Sequence, residues 1–532
     1  MATSAARWAF PNPFRDLITD DNYMWWAAIP VILGMFIAII DSSIVNVALP
    51  HMMSAFGSNV EEIEWVSTGY MLSAAIMMPT TGFLGDRFGR KKLYALAIFL
   101  FTLTSMLCGA AWDVGSLVLF RVLQGIVGGA IQPVSQAIIF EAFPPNKRGM
   151  SMAIVGIGAM FAPMIGPTLG GYIVDYINWR WIFYVNLVPG LFATFMAMAA
   201  LRETKTKPVK FDGWGFALMA IFLSTFLMGF SQGNSKGWGS DYIVGMFVAA
   251  ALSFAGFLVV ELWRREPVVD LTLFKNVTYT SGTIASVIMG IGLFGGIFLL
   301  PVFLQNLMGY DAVQTGLLMM PSGLVVGLMM PISGALLSRT DPRVPMVAGL
   351  SIMALSLFLQ AGMSPDTSLW TLVGWTILRG VGMGLAFPAM NQTSLGAVPI
   401  QKIGQASGLF NVTRQVGGTF GIAVLSTLLT QRQVFHTAIL GQDAAHNGLA
   451  MQAIQGLKAQ FMAHGSNVIA AQQQAGAVVG MMAAKQASVA AFQDAFWIAG
   501  AVMLAGVVPA LLMKRQVQRA PGGGQEAHMI LE

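Results

Sequence analysis

One carboxylate, Asp41, lies deep inside an apolar run of this 532-residue chain, and three guanidiniums, Arg121, Arg379 and Arg414, lie inside others. An ionisable group in hydrocarbon is costly to hold, so each is read first as functional. A carboxylate there can take up and release a proton. A guanidinium beside it favours the charged form, loss of water favours the neutral acid, and moving either partner or water switches proton affinity. At 1.5 Å per residue, Asp41 stands roughly 12 Å from the Leu49 end of its run, and Arg121 roughly 10 Å from the Val114 end of its own. If those runs cross in opposite senses, the two groups share a depth. Four amides, Gln132 and Gln136 on one run and Asn391 and Gln392 on another, could orient a ligand, although amides also bridge helices.

Groups placed in this way need elements that cross a bilayer. The chain is 56% hydrophobic and 10% charged, against about a quarter charged in a soluble domain. Fourteen apolar runs, from Trp25–Leu49 to Ala495–Met513, are long enough to span. A large soluble helical protein would need polar stripes on most of them, and these are nearly absent. The first run is too long for a signal-peptide core and lacks its flanks, so it is expected to remain as a spanning helix. The lone Cys108 lies mid-run and permits no intramolecular disulfide.

With the N-terminus inside, alternate loops carry 21 Lys and Arg on the inner side and five on the outer. That bias places both termini in the cytoplasm. The net charge of +5 therefore reports topology, and nothing points to nucleic acid.

The chain repeats itself weakly. Gly129-Ala-Ile-Gln-Pro133 matches Gly384-Leu-Ala-Phe-Pro388, Pro144, Lys147 and Gly149 match Pro399, Lys402 and Gly404, and Gly82 to Arg87 has a worn copy in Gly334 to Arg339. Two related six-helix bundles follow, with a midplane site between them as in secondary transporters. The expected division is a cytoplasmic N-terminus 1–24, a first bundle 25–201, a linker 202–276 with two extra helices, a second bundle 277–513 and a cytoplasmic tail 514–532. Within the second bundle, the Gln-, Ala- and Met-rich segment 430–494 reads as an external hairpin or as amphipathic helices on the membrane surface.

Between the second and third runs stands Gly82-Phe-Leu-Gly-Asp86-Arg87-Phe-Gly89-Arg90-Lys91-Lys92. A positive-inside loop explains the bases but neither Asp86 nor the glycines. This stretch resembles the signature loop of the major facilitator superfamily. The resemblance implies that the acid faces a helix N-terminus, where a carboxylate is stabilised, and that the loop latches the two halves. Asp41-Ser-Ser-Ile-Val-Asn46-Val-Ala-Leu-Pro50, Arg121-Val-Leu-Gln-Gly125 with Gly128 and Gly129, and Gly158 followed by Gly166-Pro167-Thr-Leu-Gly170-Gly171 resemble the motifs of its fourteen-helix drug:proton antiporter family, EmrB/QacA type. Ala162 departs from the longer pattern, where Gly is expected. Trp179-Arg-Trp-Ile-Phe183 with Asn186 and Pro189 also looks like this group, and the nearest likeness is to EmrB.

The resemblance implies an all-α major facilitator fold and a proton-driven multidrug exporter of the cell inner membrane, with no cofactor beyond the proton gradient. It also places the first and fourth runs on one central cavity. Asp41 is then expected to carry the coupling proton with Arg121 modulating it; the alternative is a static ion pair. Asn46, Gln132, Gln136, Arg379, Asn391, Gln392 and Arg414 are the candidate cavity residues. Three buried arginines against one carboxylate leave the core positive, which disfavours dications. Neutral or weakly acidic lipophilic drugs are expected. Partners of the EmrB-like group are a periplasmic adaptor and an outer-membrane channel, whereas QacA-like exporters act alone.

A proton-coupled importer of a nutrient or peptide shares the gross fold. A membrane-embedded enzyme would need clustered His, Cys or carboxylate ligands, and an ATP-driven pump a phosphate-binding loop; the sequence has neither motif.

Overall fold

The computed structural model describes residues 17–513 apart from 145–146, 148–149, 151–155, 157–161, 163–164, 167, 205, 207–211, 265–266 and 447. The expected tail 514–532 and much of the fifth run lie outside the described residues. In the first half, α1 is Tyr23–Phe56, α2 Val60–Met77, α3 Thr81–Phe88, α4 Arg90–Gly109, α5 Val114–Ala142, α6 Trp181–Tyr184 and α7 Leu187–Ala200. Residues 168–176 are also helical. Two further helices follow, α8 Gly213–Lys236 and α9 Asp241–Trp263. The second half holds α10 Val277–Met308, α11 Ala312–Arg339, α12 Arg343–Gln360, α13 Leu369–Gly396, α14 Ile403–His446, α15 Gly448–Ala463, α16 Val468–Ala505 and α17 Val507–Leu512.

Local chemistry sets the helix ends. Asn59 with Glu62, Asp113 with Ser116 and Asp311 with Gln314 form reciprocal caps at the starts of α2, α5 and α11. Each satisfies backbone N–H groups that would otherwise be orphaned. Gly57 and Gly309 close α1 and α10 at φ 62° and 74°, a conformation that glycine adopts without strain.

This is a multi-pass membrane protein. Among the described residues, eleven helices are long and apolar enough to cross a bilayer, counting α6 with α7 and α16 with α17 as single spans. The remaining three expected runs have particular reasons for not being among them. The second ends in a 3-10 turn at Met78–Thr80 and its helix α2 carries three glutamates in its 18 residues, the fifth is mostly outside the described residues, and the thirteenth, within α14, carries Asn411, Arg414 and Gln415.

The internal repeat reappears as packing. In the first half α5 packs on α1, α2 and α4, and α7 packs on α1 and α4; in the second, α13 packs on α10, α11 and α12, and α16 on α10 and α12. Matched glycines permit the close approaches. A Cβ on Gly125 would lie 2.4 Å from Tyr70 O on α2, and one on Gly380 would lie 2.4 Å from Ser322 O on α11. Small residues at such crossings let membrane helices approach backbone to backbone. Gly380→Val should therefore force α11 from α13 at about 1–3 kcal/mol of overpacking. The expected result is a fall of several degrees in the thermal midpoint of purified protein. Gly374→Val on the same helix, where nothing stands within 4 Å of the glycine, should change it little.

The inserted pair sits beside the seam between bundles. Helix α8 packs against α2 and α14, and α9 packs against α8, leaving apolar side chains such as Leu252, 70% exposed, facing outward toward lipid. The basic residues Arg90, Lys92, Arg264, Arg339 and Lys402 gather at one end of the bundles, the basic end.

Segment 430–494 is a helical hairpin at the opposite end. At 1.5 Å per residue the 44 residues of α14 reach about 66 Å, roughly twice the hydrocarbon thickness, so the helix continues past its membrane stretch. Helix α15 folds back on α16, which returns as the last span. The expected alternative of helices lying flat on the membrane does not form, because α14 and α16 run on unbroken and are tied side to side. Gln433 Nε2 donates to Ser488 Oγ at 2.9 Å, and Asp494 Oδ2 stands 2.9 Å from His436 Nε2 and 3.5 Å from Arg432 Nε.

Candidate functional site

Where glycines let these helices approach closely, polar side chains gather at three places. The first is inside the N-terminal half. Asp41 on α1 and Arg121 on α5 are each 1% exposed, and Arg121 Nη1 donates to Asp41 Oδ2 at 2.5 Å. The other carboxylate oxygen accepts from Gln124 Nε2 at 3.1 Å and from Asn186 Nδ2 at 2.8 Å. Arg121 is held in turn: Nη1 also donates to Gln124 Oε1 at 2.7 Å, Nε donates to Val66 O at 3.1 Å, and the Tyr70 ring lies 4.2 Å from the guanidinium. Ser105 joins Asn186, and the buried Cys108 thiol faces Gln124. Each of the three contacts to Asp41 comes from an N–H donor, the pattern an acceptor-only ionised carboxylate accommodates. A proton on Asp41 would turn one acceptor into a donor facing donors, so protonation must rearrange this cluster.

Gln124 and Asn186 were not singled out for this role from the sequence. Gln124 falls one helical turn after Arg121, a spacing that puts both on one face. Nothing local pointed Asn186, 145 residues from Asp41, at the same oxygen.

The antiporter-motif glycines adjoin this cluster. A Cβ on Gly166 would meet Ser43 Oγ at 2.5 Å and one on Gly170 would meet Ile44 at 3.1 Å, so both seat their helix on α1 just beyond Asp41. Gly171 has nothing within 4 Å. Gly158 and Pro167 lie outside the described residues. Ala162 is fully buried.

The second place is the seam between the bundles at the basic end. Gln136 Oε1 on α5 accepts from Asn411 Nδ2 on α14 at 2.8 Å, and Ser407 Oγ stands 2.9 Å from it and 3.0 Å from Pro133 O. Gln136 was expected in a ligand cavity. Its carbonyl is instead engaged across the seam and its Nε2 stands 3.4 Å from Asn411 Oδ1, because Ser407 and Asn411 share one face of α14 and meet α5 there. The signature loop closes the same seam. A Cβ on Gly82 would lie 2.6 Å from Gln405 Cα, and one on Gly408 would lie 2.4 Å from Met78 O. Gly89 turns the chain at φ 87°. Arg90 pairs with Glu141 and its N–H donates to Thr204 Oγ1 at 2.9 Å. Asp86 and Lys91 are half-buried, while Arg87 is exposed with its guanidinium 5.6 Å from the Phe88 ring.

The third place is the interior of the C-terminal half. Arg379 and Arg414 are 5% and 8% exposed, and the Nη1 of each has no hydrogen-bond partner. Arg414 Nη2 donates to Asn411 Oδ1 at 2.7 Å, and its guanidinium lies 5.0 Å from the Phe387 ring. Arg379 Nη1 approaches Gly296 on α10, where a Cβ would come within 2.9 Å of it. Asn391 Oδ1 and Gln392 Oε1 are also buried without a partner, Asn391 Nδ2 being spent on Phe387 O at 2.9 Å. Gln132 is half-buried on α5, and Asn46 is exposed, accepting from Ser67 Oγ at 3.0 Å. The proposed cavity residues are thus divided: Arg379, Arg414, Asn391 and Gln392 hold unused polar atoms, whereas Gln136 and Asn46 join helices.

A family model described as Major Facilitator Superfamily matches residues 31–422. The Multidrug export protein EmrB of Escherichia coli strain K12 is 30% identical over 504 residues, covering 93% of this chain and 96% of that protein. The Fatty acid resistance protein FarB of Neisseria gonorrhoeae is 29% identical over 513 residues, covering 94% and 97%. The fold is similar to the crystal structure of the human organic anion transporter MFSD10, at a TM-score of 0.61 and 13% identity, covering 92% of this chain and 99% of that one.

Proposed function

The chain belongs to the major facilitator superfamily of membrane transporters, and from that premise we propose that it is a proton-coupled exporter of lipophilic, neutral or weakly acidic compounds working by alternating access. The observation that carries the reading is the fully buried Asp41–Arg121 pair held by Gln124 and Asn186. A carboxylate that gains a proton here must release at least one donor, and those donors sit on α5 and at the N-terminus of α7, whereas Asp41 sits on α1. Protonation is thereby converted into a change in helix packing. The names of EmrB and FarB, an export protein and a resistance protein, support export over import.

The basic end is the cytoplasmic end on this reading, by the positive-inside bias. The closed seam of Gly82, Gln136, Ser407 and Asn411 is then the inner gate in its shut state. Asp41 releases its proton and Arg121 recaptures the carboxylate as the gate cycles. The hairpin 430–494 faces the periplasm, the side where an adaptor and an outer-membrane channel would have to engage, and co-purification with candidate adaptors tests that part.

Substrate charge follows from the C-terminal half. Two buried guanidiniums with unused Nη1 groups repel a dication and favour an acceptor or an anion. In proteoliposomes with an imposed pH gradient, paired anionic and cationic dyes of similar hydrophobicity should show preference for the anionic or neutral member. Arg379→Gln with Arg414→Gln should erode that preference about tenfold, worth ~1.4 kcal/mol. A clear preference of the unaltered protein for dications would overturn the substrate reading.

A further inference from the structure

We propose that Asp212 and Glu261, at the basic end of the inserted helices, share one bound proton and so form a second protonation site, separate from Asp41. Asp212 caps α8, its Oδ1 accepting from Gly215 N at 3.2 Å. Its Oδ2 and both oxygens of Glu261 on α9 have no hydrogen-bond partner, although the two residues are only 7% and 4% exposed. A Cβ on Gly215 would lie 2.7 Å from Asp212 Oδ2 and 2.9 Å from Glu261 Oε1. The two carboxyl groups therefore converge on the gap that a glycine leaves open.

The surrounding charges do not balance among the described residues. Arg264 Nε stands 3.8 Å from Asp212 Oδ1, but that side chain is more than half exposed. Lys402 is committed to Asp270 at 2.5 Å, and Thr272 N donates to the same carboxylate at 2.9 Å. Burial opposes ionisation of Asp270, yet the Lys402 and Thr272 contacts outweigh it and hold its pKa below the ordinary value. Asp270 thus stays ionised and uses up the lysine. The backbone N–H groups of Val268 and Val269 turn toward Glu261 but stop short of hydrogen-bond geometry with its oxygens. Among the described residues, three carboxylates thus stand against two cations.

Two buried carboxylates whose converging oxygens have no donor repel when both are ionised, whereas one shared proton turns the repulsion into an O–H···O hydrogen bond. The balance is simple: a proton from the cytoplasmic water binds one carboxylate, and the other accepts it. A divalent metal is the poorer occupant, since no group of three or more His, Cys, Asp or Glu side chains that could hold a metal occurs among the described residues. Release of the proton restores the repulsion beneath the cluster of Val268, Val269, Leu273, Met219 and Phe257 that also includes Ala406 of α14. Ala406 precedes Ser407 of the seam. Cytoplasmic pH thereby acts on how firmly the inserted pair grips the gate helix.

Infrared difference spectra of the purified full-length protein, recorded on stepping pH from mildly acidic to mildly alkaline, test this directly. A carboxylic-acid C=O band is expected to disappear on alkalinisation, to persist in Asp41→Asn, and to be lost in Glu261→Gln. Asp212→Asn keeps the helix-capping oxygen and should lose the same band, which guards against misfolding of the first variant. The dependence of efflux on cytoplasmic pH should flatten in both variants while drug-driven proton movement continues. A pH-sensitive acid band unchanged in both variants would overturn the proposal. So would retention of radioactive sodium by the unaltered protein and not by Glu261→Gln, which would make the site one for an alkali cation.

Discussion

Asp41→Asn should abolish drug-driven proton movement in proteoliposomes, lowering it at least a hundredfold, while leaving drug binding measurable. Asparagine keeps an acceptor for Arg121 but cannot carry the proton. The substitution also leaves a buried guanidinium without its counter-charge, and breaking such a pair by removing one partner costs about 3–5 kcal/mol. A loss of activity alone would therefore not separate coupling from a static ion pair. The double variant Asp41→Asn with Arg121→Gln removes both charges and should recover much of the thermal stability, since contacting residues are strongly non-additive. On the proton-coupling reading, exchange stays absent in the recovered protein. If exchange returns with stability, the pair is structural and the coupling group lies elsewhere; undiminished exchange in the single variant would sink the role outright.

The second large effect is expected at the seam. Gly82→Val places side-chain carbon where Gln405 Cα and N stand 2.6 Å away, and both are backbone atoms that cannot swing aside. The basic end should then fail to shut. A Ser407→Cys probe in a Cys108→Ala background should react at least tenfold faster with a membrane-impermeant maleimide from that face once Gly82→Val is added, and transport should fall to background. Gln136→Leu offers a graded comparison, because it removes polar contacts worth about 0.5–1.5 kcal/mol each without introducing a collision. Its labelling rate should lie between the two. Unchanged labelling in Gly82→Val would show that the glycine is not what permits closure.

These expectations place the weight on residues whose visibility in the sequence was unequal. Gly82, Asp86 and Arg90 stand in a compact motif, and Asp41 and Arg121 announce themselves as charges in apolar runs. Ser407 and Asn411 are ordinary polar residues on a helix, and they matter because α14 turns that face toward Gln136. Asp212 and Glu261 lie at the edges of their runs, where an acid looks like a solvated helix end; burial under Val268 and Val269 makes them different.

Lengths and periodicities were legible because their cause is local. A bilayer of fixed thickness demands a fixed length of apolar residues, and a repeated glycine pattern records two related bundles. The hairpin at 430–494 was only half legible, since its composition suits either a surface-lying or a projecting helix, and the ties from Asp494 to Arg432 and His436 select the second. Which side chains meet is a different matter. It depends on the rotation of each helix about its axis and on how closely backbones approach, both set by small residues on neighbours far away in the chain. That is why the sequence placed Asp41 and Arg121 at one depth, while the folded protein supplied Gln124 and Asn186 to hold them, moved Gln136 into the seam, and left Arg379, Arg414 and Glu261 with polar atoms still to be satisfied.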